Sequence, residues 1–402
     1  MPKKKYNVLI WGIGKWGQIA FDSLDTEKAI VKGVIDKSTD KKGRVWNNFD
    51  IYSLNDLRNI ISHADYLIIC MRDYYDALKY CEKEKIEKKK IIVFVKDNLD
   101  NYGIFKKKEL DQYFYDRNLA REVYKEYETQ PSPVVIRSQE DCLNEIISGK
   151  KSLSRFGDGE FEMILNRKRP WFQEPNEMLA NRLKNVLTIN DSRLLIALPN
   201  QFASLEEYSE EAKDGIRLYM SRTRSEILDL IDKKRAYYDA YVSRPYIIYK
   251  EKNNAEKIFN LWKEVWKDRK IVIVEGKNVR NGVNNDLFEF AVEIERVICP
   301  YKNAFDKIEL IEQEIREKVS KDKLILITLG PTATIIAADL ALEGYQAIDL
   351  GQLDNEYEWY LAKATHRISV KGKAVAELGE TNVEENCLDN KKYKNQIISD
   401  LS

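Results

Sequence analysis

Short apolar runs alternate with longer amphipathic stretches over the first hundred residues. YNVLIW at residues 6–11 predicts a buried strand, and helical spacing follows over residues 15–24. IVKGVID closes a second strand at Asp36, and DYLIIC (65–70) and IIVFVK (91–96) supply two more. Strands alternating with helices predict parallel βαβ units and a doubly wound sheet. Residues 98–128 are charged and Tyr-rich and read as helical. They end at Thr129-Gln130-Pro131-Ser132-Pro133, where two prolines mark a domain boundary.

Beyond that boundary the periodicity predicts helices over residues 139–148, 177–187, 205–219, 225–238 and 255–266. RLLIAL, RPYIIY, KIVIVE, RVIC, KLILITLG and YQAIDLG are apolar runs of strand length. The fold class expected is therefore α/β, with two Rossmann-like domains and extra helices in the second. The boundaries read as 1–128 for a nucleotide-binding domain and 132–385 for the second. Residues 386–402, rich in Asn, Lys and Glu, read as a poorly ordered tail.

Composition narrows the chemistry. Lys+Arg and Asp+Glu are both 66, a balance that excludes a dedicated nucleic-acid binder. The five cysteines form no close pair and read as reduced thiols of a cytoplasmic protein, and no apolar stretch reaches membrane-spanning length. With only two histidines, His63 and His366, reaction chemistry falls to carboxylates, cations, backbone dipoles or a metal held by oxygen.

Four places carry such groups. Gly12, Gly14 and Gly17 form G-x-G-x-x-G between a strand and a helix, with Asp36 at the end of the next strand. This is the spacing by which a dinucleotide fold binds a pyrophosphate and a ribose hydroxyl, and it makes NAD(P) or another nucleotide a candidate ligand. SRFGDGEF contains Asp158 and Glu160 flanked by Gly157 and Gly159, with Arg155 nearby. In a loop the two carboxylates converge on one point and suit Mg²⁺ or Mn²⁺; the competing reading is a helix-capping acidic turn. KIVIVE ends at Glu275 and leads through Arg280, Asn284, Asn285 and Asp286 to a helix expected near Leu287; RVIC leads to Lys302 and Asn303. LILITLGPTATIIAADLALEGYQAIDLG is a βαβ unit whose Gly330, Thr332 and Thr334 lie at a helix N-terminus suited to phosphate.

The blocks SRFGDGEF, SRPY (243–246), VEGKNVRNGVNNDLF, ICPYKNAF and the long LILITLGP…NEYEW segment together resemble the bacterial glycosyltransferases of the GT-D type, some of which glycosylate surface adhesins. The resemblance covers roughly residues 132–376. It implies a nucleotide-sugar donor, with Asp158 and Glu160 holding Mn²⁺ or Mg²⁺ against the diphosphate. It also implies a glycan, glycoprotein or lipid-linked acceptor. Arg155, Arg280 and Lys302 are then candidates for donor contacts, and Asp354 and Glu358 for the acceptor base. The chain departs from the family pattern at Gln352, where histidine is common, and around Val279 and Asn284. Aromatic residues between Tyr113 and Tyr127 offer either a homo-oligomer interface or interdomain packing.

Overall fold

The computed structural model describes residues 5–37, 42–71, 74–94, 103–106, 121–167, 173–378 and 391–402. The chain separates into two compact units, Met1–Leu119 and Ala120–Ser402. The division falls earlier than the proline-marked boundary for a physical reason. Residues 121–128 are helical, and their side chains are tied to the second unit. Arg121 donates to Asp214 at 2.7 Å, and Arg217 forks onto Glu128 at 2.6 and 2.9 Å. The expected helix over 107–120, with Tyr113 in it, lies outside the described residues.

The first unit is a six-stranded sheet ordered β3-β4-β2-β1-β5-β6. Its strands are β1 (Tyr6–Trp11), β2 (Ala29–Ile35), β3 (Val45–Trp46), β4 (Phe49–Tyr52), β5 (Tyr66–Ile69) and β6 (Ile91–Val93). Pairing is parallel except for the β3–β4 hairpin. Asn47 and Asn48, both at positive φ, make that turn, as a two-residue hairpin requires.

The second unit contains β7 (Val135–Arg137), β8 (Ser152–Arg155), β9 (Leu194–Leu198), β10 (Ala236–Asp239), β11 (Lys270–Gly276), β12 (Glu293–Cys299), β13 (Leu324–Thr328), β14 (Gln346–Asp349) and β15 (Ile397–Asp400). They form one parallel sheet ordered β15-β12-β11-β13-β14-β8-β9-β10-β7. Central strands such as LLIAL are buried throughout, because helices cover both faces of a parallel sheet. The helix Pro331–Leu342 is apolar on every side and almost wholly buried, which places it in the interior. Since all nine strands run the same way, the loops after β8, β10, β11, β13 and β14 share one edge. Ligands bind at this carboxyl edge in such sheets.

Four expectations are corrected here. RPYIIY is not a strand: it follows the 3-10 turn Ala240–Ser243 as bends and turns. The two helices expected over 205–238 are one, Glu210–Leu230, followed by β10, because Tyr237 and Tyr238 supply aromatic strand residues that helical spacing had absorbed. No helix begins at Leu287; residues 277–292 are turns, anchored by buried Leu287 and Phe288. Finally, residues 397–400 of the expected disordered tail form β15, parallel to β12, where Leu401 N donates to Ile298 O at 2.7 Å. The Ile397-Ile398 pair gives that segment strand character.

Candidate functional site

The acidic motif lies just past β8. It is the capping turn rather than the open loop: Gly157 is the N-cap of the helix Asp158–Ile164, and the Glu160 carboxylate folds back to accept from Gly157 N at 2.7 Å. The two carboxylates therefore do not converge by extended geometry. Asp158 is exposed, and Glu160 is half-buried. Burial, reinforced by the nearby Asp349 carboxylate, pushes Glu160 up to about 6, against the opposing Gly157 hydrogen bond. Among the described residues no three His, Cys, Asp or Glu side chains are gathered as a metal cage. The exposed Asp158 carboxylate, with the second oxygen of the half-buried Glu160 two residues on, offers hard-oxygen donors of the kind Mg²⁺ or Mn²⁺ takes, the rest of the shell being water and substrate phosphate.

Arg155 is committed elsewhere. Its Nε donates to Asp349 O at 2.8 Å and its Nη2 to Asp349 Oδ1 at 2.6 Å. Thr334 Oγ1 locks the pair, donating to Arg155 O at 2.9 Å and lying 3.2 Å from Asp349 Oδ2. The guanidinium rests on Gly351, at φ 55°, where a Cβ would come within 2.0 Å of Nη2. Arg155 thus joins β8 to β14 and positions the loop beside the acidic turn. Thr332, fully buried at the start of the Gly330-Pro331 helix, leaves its hydroxyl unpaired among the described residues.

The helix Glu210–Leu230 approaches Asp158. Tyr219 OH reaches Asp158 O at 3.5 Å. Burial, then the Asp158 charge, pushes the Tyr241 hydroxyl above its ordinary range. Arg244 is ion-paired to Glu377, which also pairs with Arg367. Burial works to lower the Arg244 pKa, but Glu377, Glu356 and Asp158 outweigh it and raise it. The fully buried Glu356 accepts from Tyr246 N and Ile247 N at 3.0 and 2.8 Å through one oxygen, fixing the backbone just past Arg244.

The remaining candidates are mostly structural. Glu275, fully buried, accepts from Arg296 at 2.5 Å and from Asn281 N and Nδ2 at 2.7 and 2.9 Å, so it ties β11 to β12 and pins the turn after β11. Asp286 pairs with Lys263 and accepts from Tyr357 OH, each at 2.7 Å, and Asn303 accepts from Glu174 N at 2.9 Å. Arg280 donates to Gly372 O at 3.0 Å; Asn284 and Lys302 are exposed. Asp354 spends both oxygens, on Gly282 N and Asn285 (2.8 Å each) and on Lys373 (2.6 Å). Glu358 Oε1 accepts from Asn285 and Lys373, both at 2.7 Å. Asn285 was legible as part of the polar loop. Lys373, Glu377 and Arg367 carried no sequence signal, while Arg244 stood in the SRPY block without an assigned role.

In the first unit, a Cβ on Gly12 would meet Cys70 O at 2.7 Å, and one on Gly17 would meet Gly12 O at 1.9 Å. Those two glycines serve packing. Gly14, at the N-cap of the helix Lys15–Ser23, faces open space, and Asp36 directly follows β2 with its N–H on Tyr52 O at 3.1 Å.

A parallel sheet with oxygen donors and guanidinium groups gathered at its carboxyl edge has the architecture in which α/β proteins bind their ligands. The chain belongs to the glycosyltransferase GT-D fold family, whose pattern matches residues 153–378. Residues 4–92 match a second family, described as C2185-like, N-terminal. The chain is 35% identical over 277 residues to the probable glycosyl transferase Gly of Streptococcus gordonii, covering 68% of this chain and 40% of that protein. It is 33% identical over 321 residues to glycosyltransferase GlyD of Streptococcus pneumoniae serotype 4, covering 77% of this chain and 38% of that one. The chain thus matches about two-fifths of the length of these relatives. A solved structure described as domain of unknown function 1792 with a distinct glycosyltransferase fold is matched along 100% of its length and 71% of this chain, at 34% identity and a TM-score of 0.65. A glycosyltransferase of the same domain type from Streptococcus sanguinis is matched over 100% of its length and 67% of this chain, at 35% identity and a TM-score of 0.63.

Proposed function

We propose that this chain is a divalent-cation-dependent glycosyltransferase that moves a sugar from a nucleotide-diphosphate donor, a UDP-sugar first among them, to a glycan or glycoconjugate acceptor. The observation that carries the reading is the acidic first turn after β8, Asp158 with Glu160, at the carboxyl edge of a parallel sheet. Asp158 and Glu160 would hold Mn²⁺ or Mg²⁺, which as a Lewis acid neutralises the charge that grows on the leaving diphosphate. Glu160 caps its own helix and so fixes the turn from which Asp158 projects. The Arg155–Asp349 pair braces that turn against β14. Asp354 has no oxygen to spare for proton transfer; Glu358, held by Lys373 through one oxygen, is the better candidate for the acceptor base.

The test is calorimetric titration of UDP-, GDP- and dTDP-sugars with Mn²⁺ and with EDTA, beside a D158N/E160Q double variant. Metal-dependent binding of one donor, weakened at least tenfold in the variant, is expected. Binding indifferent to both metal and variant would remove the acidic turn from the mechanism. A second ligand reading attaches to the first unit, where the open approach at Gly14 supports a nucleotide or NAD(P) at the helix N-terminus. Titration of NAD(P)H into the same protein, with a G14D control, tests it.

A further inference from the structure

Two of the described lysines are buried, Lys263 and Lys373, and they differ in what they hold. Lys263 reaches Asp286 and Glu289, whose side chains are both exposed, so water shares those charges. The Lys373 side chain is 1% exposed, and both its acceptors lie on the helix Leu353–Leu361. They are Asp354 Oδ2 at 2.6 Å and Glu358 Oε1 at 2.7 Å. Four residues apart, these carboxylates stand on one helical face, where like charges repel. Lys373 comes to them from outside that helix. Its segment is tied to the loop after β11, with Ala374 N donating to Asn278 O at 2.8 Å and Arg280 to Gly372 O at 3.0 Å. The same loop supplies Asn285, whose Nδ2 donates to Asp354 Oδ1 at 2.8 Å and to Glu358 Oε1 at 2.7 Å.

The cluster treats its two acids unequally. Asp354, 3% exposed, has both oxygens engaged: Oδ1 by Gly282 N and Asn285, Oδ2 by Lys373. Glu358 is 19% exposed, and its Oε1 is engaged twice. Its Oε2 accepts no hydrogen bond among the described residues. Burial tolerates an ion pair whose members are hydrogen-bonded all round, and Glu358 Oε2 is the one oxygen of this cluster left over. One cation between two carboxylates also leaves one negative charge unbalanced, and Oε2 is where it can be offered. The helix that carries Glu358 follows β14, and β14 pairs with β8, which leads into the acidic turn. Glu358 and Asp158 thus rise from adjacent strands of the carboxyl edge. A carboxylate anchored by one oxygen and open at the other has the form a general base needs, since the anchor fixes the direction in which the open oxygen takes a proton.

We propose that Lys373 is the positioning residue of the acceptor base: it pins Glu358 Oε1 and so aims Oε2 at the acceptor hydroxyl. This rests on the glycosyl-transfer reading above. In the step served, the acceptor oxygen bonds to the anomeric carbon, and the bond from that carbon to the diphosphate breaks. Its electron pair leaves with the diphosphate, and the hydroxyl proton passes to Glu358 Oε2. Lys373 acts on the destination of the proton and not on the donor, so its loss belongs in kcat and not in donor affinity. The test uses the full chain with Mn²⁺ and UDP-, GDP- or dTDP-glucose, water standing in for the acceptor hydroxyl. Nucleotide release, calorimetric donor affinity and a melting curve are compared for wild type, E358Q, K373M and D354N/K373M. We expect each variant to release nucleotide at least tenfold more slowly than wild type, with donor affinity kept within about twofold. If K373M does not fold, D354N/K373M decides, because it removes the buried cation together with an opposing charge. A folded Lys373 variant with the wild-type rate and only a lowered melting temperature would make Lys373 a structural ion pair and overturn the proposal. A rate lost together with donor affinity would overturn it too, by assigning Lys373 to the donor site. Both outcomes leave the transferase reading intact, whereas a wild type that releases nucleotide from none of the three donors counts against that reading itself.

Discussion

Glu356 is an acid in the wrong solvent. It is fully buried, with two amide donors on one oxygen and no hydrogen-bond partner on the other among the described residues, and burial pushes it up to about 7 from an ordinary 4.5. The sign of its effect on stability follows. Between about pH 4.5 and 7 the unfolded chain releases this proton while the folded chain keeps it, so folding stability falls as pH rises through that window and levels off above it. The span corresponds to at most about 3 kcal/mol. E356Q removes the titration while keeping an acceptor for both amides. We therefore expect thermal melts of E356Q and wild type to diverge from pH 5 to pH 8 in favour of the variant. Parallel curves at all pH values would show that Glu356 titrates normally. At the same scale, Gly351 was visible in the sequence only as a strand end; that Arg155 lies where its Cβ would be is a fact of tertiary contact.

At the scale of elements, the C-terminal segment changes the sheet most. The helix Lys391–Gln396 and β15 cover the outer edge of β12. They also finish the buried Glu275–Arg296 pair: Gln396 accepts from Arg296 Nε at 2.8 Å, and the Tyr393 ring lies 4.8 Å from its guanidinium carbon. Deleting residues 391–402 should cost about 2–4 kcal/mol, from lost ladder bonds, the cation–π contact and partial exposure of a charge built to be covered. Urea denaturation followed by circular dichroism would measure it, and an unchanged midpoint would mean the strand is dispensable. The central strands were legible because apolar runs such as LILIT can only be buried. RPYIIY also carries an apolar Tyr-Ile-Ile-Tyr run, yet Glu356 captures two of its amides and a ladder does not form. The Leu287 segment failed as a helix because Gly282 N and the Asn285 side chain are taken by Asp354, from a helix seventy residues away.

For the whole molecule, the two units have unequal claims on the proposed chemistry. Solved GT-D relatives are matched along 99–100% of their own length while covering 67–71% of this chain, so the second unit has counterparts that stand alone. A fragment of residues 120–402 is expected to fold cooperatively and to keep Mg²⁺–pyrophosphate affinity within about threefold of the full chain, a difference of under about 1 kcal/mol. Loss of cooperative melting in the fragment would show that the first unit is needed for the second to fold.

By itself the sequence determined the alternation of strands and helices and the parallel α/β class. It also placed the acidic turn, the Gly-Pro-Thr helix and the blocks that place the chain in its family. These are local signals, set by periodicity, turn residues and short spacings. Tertiary structure alone decided which charges are spent and which are kept. Arg155, Glu275 and Asp354 have the side chains a donor site requires, yet each is held by a partner outside its own motif: Asp349, Arg296 and Lys373. Arg244 and Arg367, far apart in sequence, share one partner, Glu377. A charge buried at a sheet edge must be paired, and the partner comes from whichever segment the fold brings there, so no local pattern could record it.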